Sequence, residues 1–270
     1  MKWYLPIIFF FTVISSIVGQ DLNIKFYNED LKDGSIIVYA DNNEIFPVSV
    51  ELKLELKGLR TAFKNGDITV LRANEKRQKI ASLHPIPGKS WKLRTSARSC
   101  LGDVSVHEYD TNYFYELPFE RGYSEIVSQG YLGQQSHQGE YALDFNMPIG
   151  TPVHAMRDGL VIRVVDSNNK SCPDYSCMQF NNVITIQHKD GTYADYAHLK
   201  QHSALVNVGD IVEKGMHIAD SGNTGWTTGP HLHIAVFLPA FDKRKTIPTL
   251  FRISDNDSAF LQPGKIYRRT

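Results

Sequence analysis

The sequence predicts an all-β protein made of two consecutive β units, and two patterns carry that prediction. In the first unit, Val50, Leu52, Leu54 and Leu56 alternate with Glu51, Lys53, Glu55 and Lys57. A period of two gives a strand one buried face. From Tyr141 onward, short β-prone runs are joined by Gly, Asp-Gly and Asn turns, the punctuation of hairpins in a compact antiparallel sheet or barrel.

Composition bounds the partners. The chain has 270 residues, 42% hydrophobic and 21% charged, which is ordinary for a globular protein with a real core. Lys+Arg and Asp+Glu both total 29. With no basic excess, nucleic acid and anionic membranes are not expected as partners.

The first element is the leader, "MKWYLPIIFFFTVISSIVGQD", with one lysine, a long apolar run and small residues ending at Gly19. That order predicts a secretory signal peptide over residues 1–19. The run approaches the roughly 20 residues of a membrane span, but no basic cluster follows to stop transfer. The mature protein is therefore expected to be exported, periplasmic or extracellular, with no stable membrane insertion after cleavage. In an oxidising compartment, Cys172 and Cys177 of "SCPDYSC" are expected to form a local disulfide, because no second cysteine pair completes a metal site. Cys100 is left as a buried free thiol.

Residues 20–118 follow as a β-sandwich-like N-terminal domain. Its strands are carried by "SIIVYADNN", "SVELKLELKGL", "DITVLRANE", "KIASLHPI" and "SWKLRTSA". No chemical constellation accompanies them, and His84 and His107 read as structural or surface residues. The aromatic, glycine-rich "DTNYFYELPFERGYSEIVSQGYLGQQSHQG" reads as the linker and the entrance to a second domain over 119–240. Residues 241–270 form a C-terminal β extension.

The chemistry concentrates in the second domain. In "TTGPHLHIAV", strand geometry places His231 and His233 on one face, about 7 Å apart. Leu232, Ile234, Val236 and Leu238 take the other face. A helix would separate the two histidines by about 200°. In "HQGEYALDF", Asp144 alternates with Tyr141, Leu143 and Phe145, and His137 precedes it. In "TYADYAHLK", His198 is expected to share a face with Tyr196, Ala194 and Thr192. Two histidines plus one carboxylate suit zinc, with an open coordination position that acidifies a water.

These segments, "GPHLHIAV", "YAHL", "GTPVHAMRDGLV" and the H…D pair, closely resemble the lysostaphin/LytM-type zinc metallopeptidases. Many of these are peptidoglycan endopeptidases, and their fold is the duplicated hybrid motif, an antiparallel β catalytic domain. The resemblance spans about residues 130–240, with the motifs in the family's order. It implies a Zn2+ cofactor held by His137, Asp144 and His233. His198 and His231 would stand beside the metal, orienting or deprotonating the water and stabilising the oxyanion. Gly225, Thr228, Gly229 and Pro230 would shape the turn feeding the H-x-H strand, with Asn223 lining the site. The chain departs from the family in two places. Six residues separate His137 from Asp144 where the usual pattern is H-x-x-x-D, so the loop must bulge. Ala235 stands where an acidic residue often follows the H-x-H.

The function implied is an exported zinc metalloendopeptidase acting on peptidoglycan or another peptide, with an N-terminal domain that regulates or docks. The alternative is a catalytically inactive protein of the same fold that binds peptidoglycan or activates hydrolases. Loss of one of the three ligands would argue for it, and all three are present. A phosphocarrier of the same fold is disfavoured by export. A lipoyl-type carrier, suggested by "VGDIVEKGMHIA", leaves the histidines unexplained. His154, His188, His202 and His217 read as surface or structural, and Tyr131 and Tyr141 as packing at the domain edge.

Overall fold

The structure, a computed structural model, describes residues 22–270 together with the backbone of Phe11–Ser15. The rest of the expected signal peptide lies outside the described residues. Among the described residues strands dominate, with one short 3-10 helix at Tyr175–Phe180. Among the described residues, no helix is long and apolar enough to cross a membrane.

The chain divides into two compact units. The first comprises the described residues up to Ser105 together with 239–243 and holds two four-stranded sheets. One sheet runs Phe11–Ser15, Lys92–Leu101, Val48–Lys57, Ile68–Leu71; the other runs Ile24–Asp30, Ile36–Asn42, Gln78–Pro85, Leu59–Arg60. The alternation read from the sequence is realised in Val48–Lys57: Val50, Leu52 and Leu54 are buried, while Lys53 and Glu55 are exposed. Asn42 is fully buried, and its Nδ2 lies within bonding distance of the Phe46, Leu71 and Arg72 carbonyls, so its amide group is not left unpaired. Cys100 is the buried free thiol expected, donating to the Ala240 carbonyl, and burial pushes its pKa up to about 11. His84 and His107 are exposed.

The second unit comprises residues 106–238 and 244–270 and is built on one nine-stranded sheet. Its middle is antiparallel, in the order Gly159–Val165, Val183–Gln187, Tyr193–Ala197, Leu232–Leu238, Ala142–Phe145, Ser124–Gln129. Ile184, Ile186, Ala194, Tyr196, Leu232, Ile234, Leu143 and Phe145 join one apolar core. With that face buried, alternation leaves the opposite face of the central strands to carry polar residues. The segment expected as linker contains the strand Ser124–Gln129, which the sequence did not announce because its apolar residues do not alternate cleanly. Lys245–Ile247 and Ile266–Arg268 pair into this sheet as well.

His188 lies in the core of this unit rather than at a solvated turn. Its Nδ1 donates to the Asp158 carbonyl at 2.9 Å, and its Nε2 has no hydrogen-bond partner. Burial pushes its pKa down to about 4 from 6.5. The unfolded chain thus binds a proton that the folded one refuses, so stability is present above pH 6.5 and falls as pH drops toward 4. The fall attributable to His188 is about 3 kcal/mol. Urea unfolding at pH 7.5 and pH 4 measures it, and His188→Gln is expected to lose that share of the pH dependence.

Candidate metal centre

The site is built across three neighbouring strands. Asp144 and Ala197 both stand opposite His233 in the register, one from each flanking strand. Residues paired in register share a face, so Asp144 and His233 meet on the polar side of the sheet. His137 arrives from the loop between Gln129 and Ala142. Its Nε2 is 3.1 Å from Asp144 Oδ1 and 3.2 Å from His233 Nδ1, and those two atoms are 2.9 Å apart. His137 is 1% exposed, so this corner is closed to solvent.

The donor set fits a metal ion. His137 Nδ1–H donates to the Gly130 carbonyl at 3.0 Å, which leaves the lone pair on Nε2, turned into the site. Three lone-pair atoms then share at most one proton, an arrangement that a shared cation satisfies better. Ligands at about 2.0–2.1 Å around a tetrahedral ion lie about 3.3 Å from one another, close to the spacing here. Burial pushes the Asp144 carboxyl up, but the adjoining His137 and His233 rings outweigh it and hold the group well below the usual carboxylate range. Among the described residues, this is the one cluster of three such side chains with metal-binding spacing.

A model of peptidase family M23 matches residues 137–244. That stretch, under half of the chain, is similar to peptidase family M23. A metalloprotease from Buchnera aphidicola, described as uncharacterized, is 43% identical over 102 residues, 38% of this chain and 23% of its own length. Peptidoglycan DD-endopeptidase ShyB of Vibrio cholerae is 30% identical over 190 residues, 63% of this chain and 42% of its own length. The chain therefore spans less than half the length of these curated relatives. Among solved structures, the catalytic domain of the antimicrobial peptidase lysostaphin from Staphylococcus simulans is 31% identical, with 44% of this chain and 82% of that chain covered and a TM-score of 0.33.

Two further histidines flank the trio within the matched stretch. The His198 ring lies 4.5 Å from the His231 ring and 5.8 Å from that of His233. His231 Nε2 stands 3.8 Å from Asp144 Oδ1, outside the three-atom cluster. Both rings have their Nδ1–H committed to backbone carbonyls: His198 to Thr224 at 2.7 Å, His231 to Gly229 at 2.8 Å. In the neutral form of each ring the lone pair is therefore on Nε2. Burial, reinforced by the neighbouring His231 and His233, pushes the His198 pKa down to about 3.

His198 reaches this place by a route that alternation does not supply. Tyr196 and Ala194, its expected face-mates, are in the core. The strand ends at Ala197, and His198 takes φ +63°, a left-handed conformation uncommon outside glycine. That turn re-aims the ring onto the opposite face. The Asn181 side chain holds it there, accepting from His198 N–H at 2.9 Å.

The turn before the H-x-H is fixed by side chains as well as glycines. Thr227 Oγ1 lies 2.7 Å from the Gly229 carbonyl and 3.0 Å from Asn223 Oδ1, so Asn223 braces the turn. Gly225 has φ +85°, and a Cβ there would stand 2.8 Å from Asn181 Cα. Ala235 sits between Ala142 and Asp195 in the register. Tyr131 and Tyr141 pack edge-to-face at 5.7 Å, and Tyr131 Oη is bonded to Thr249. His154 stacks on His217 at 5.3 Å, and His202 is exposed.

Sequence reasoning missed the backbone carbonyls of Gly130, Thr224 and Gly229, because a carbonyl leaves no mark on residue type. It also missed Gln129 and Asn181, which lie outside any of the quoted motifs. Cys172 and Cys177 do form the expected disulfide. It closes over the 3-10 turn that leads into Asn181, while Ser171–Cys172 pairs with Gly225–Trp226. Replacing both cysteines by serine is expected to lower stability by about 2 kcal/mol, from the entropy of so small a loop. Chemical denaturation of the oxidised protein and the double variant checks this.

Proposed function

We propose that the M23 domain is a zinc-dependent endopeptidase of an exported protein, hydrolysing peptide cross-links or stem peptides of peptidoglycan. The observation that carries it is the convergence of His137 Nε2, Asp144 Oδ1 and His233 Nδ1 within 2.9–3.2 Å of one another, beside two further histidines of fixed tautomer. Zinc supplies Lewis acidity there, polarising the scissile carbonyl and acidifying water. His137, Asp144 and His233 hold the ion. His231 offers a free Nε2 as proton acceptor, while His198, whose pKa is pushed down to about 3, stays neutral and accepts a hydrogen bond that orients the water. His231 takes the proton from water as its oxygen bonds to the carbonyl carbon, and returns it to the amine nitrogen as the C–N bond breaks.

Export is supported by the leader and by the Cys172–Cys177 disulfide, a linkage that persists in oxidising compartments. Peptidoglycan is supported by the similarity to ShyB, a peptidoglycan DD-endopeptidase. The test is product analysis after incubating the purified chain with purified peptidoglycan. New amino termini without new reducing sugar ends are expected. New reducing ends would mean glycan cleavage and overturn the proposal, and binding without release of either would assign the protein to the inactive alternative.

A further inference from the structure

Gln129 occupies an unusual place in the sheet. It pairs with Asp144, two residues after Val127 pairs with Phe145, and the register shifts between them. In a regular strand Val127 and Gln129 would share a face. Val127 is in the core with Phe145, so the irregularity moves Gln129 to the opposite face, alongside Asp144. Re-aiming a side chain is what such bulges do, and they gather beside functional sites.

The Gln129 amide is then used to capacity. Its Nε2 donates to Asp144 Oδ2 at 2.9 Å and to Ser136 Oγ at 2.8 Å. Its Oε1 accepts from the backbone N–H groups of Gln135 and Ser136, both at 3.2 Å. Two donors and two acceptors exhaust a primary amide, and Gln129 is buried at 8% exposure. Ser136 immediately precedes His137, and Gly130, whose carbonyl fixes the His137 tautomer, immediately follows Gln129.

We propose that Gln129 is a positioning residue for the metal centre. It ties up Oδ2 of Asp144 so that Oδ1 faces the ion, and it anchors the enlarged loop that must bring His137 back to Asp144. The departure from H-x-x-x-D is thus compensated from the neighbouring strand. This inference rests on the metal-centre reading proposed above.

The test is zinc affinity, measured by equilibrium competition with a chromophoric chelator, for wild type and Gln129→Met, which keeps length and removes all four bonds. Affinity is expected to fall about 10- to 100-fold, the range for partners of ligating groups. The absorption bands of the cobalt-loaded form are expected to shift, which a merely structural role would not produce. Circular dichroism of the metal-free variant checks the fold. Should it not fold, Gln129→Glu keeps oxygens facing Gln135 and Ser136 but loses the donor to Asp144, and a fall in affinity is again expected. Affinity equal to wild type or tighter, in the variant that folds, overturns the role of Gln129 alone. A wild type that binds no zinc overturns the metal centre and Gln129 with it.

Discussion

His233→Ala is expected to abolish zinc binding and, with it, hydrolysis. His233 lies in the central strand, and its Nδ1 is within 3.2 Å of both other donors, so its loss leaves two ligands on one edge of the site. The effect is readable without any substrate. A ligand that binds only the folded state stabilises it by about 2.7 kcal/mol at a hundredfold excess over Kd. Wild type is therefore expected to gain thermal stability as zinc is titrated in, and His233→Ala to gain none. An equal zinc-induced rise in both proteins would remove His233 from the ligand set.

His231→Ala is expected to separate chemistry from binding. Its Nε2 stays 3.8 Å from Asp144 Oδ1, and its Nδ1–H is spent on Gly229, so the ion keeps all three ligands when the ring is removed. Zinc stoichiometry is expected to remain that of wild type. The hydrolysis rate is expected to fall by about 10²- to 10⁴-fold, the usual contribution of a positioned acid or base. Loss of zinc in this variant, or a wild-type rate, would reassign the residue. The pair of variants divides two histidines that are one residue apart and look equivalent in the sequence.

The H-x-H pair was legible because a strand has a period of two, and its partners arrive by antiparallel register. The same rule made Val50, Leu52 and Leu54 readable as a buried face in the N-terminal unit. It failed at His198, where one left-handed residue reverses the face that alternation assigns. At Gln129, in a segment read as linker, a register shift also turns the side chain to the other face. Both are local backbone irregularities that residue type does not encode, and both lie at the site. The supports of the three histidines that donate to carbonyls were hidden for a different reason, since Gly130, Thr224 and Gly229 act through their backbones. The enlarged spacing between His137 and Asp144 was visible in the sequence. What compensates it required the neighbouring strand.

The function proposed for the second unit is hydrolysis of peptide bonds of peptidoglycan with a zinc ion held by His137, Asp144 and His233. The most direct measurement follows amino groups released from purified peptidoglycan by the purified chain, before and after a chelator and then with equimolar zinc restored. The account predicts release that stops with the chelator and returns with zinc. Release that continues undiminished in the metal-free protein would contradict it.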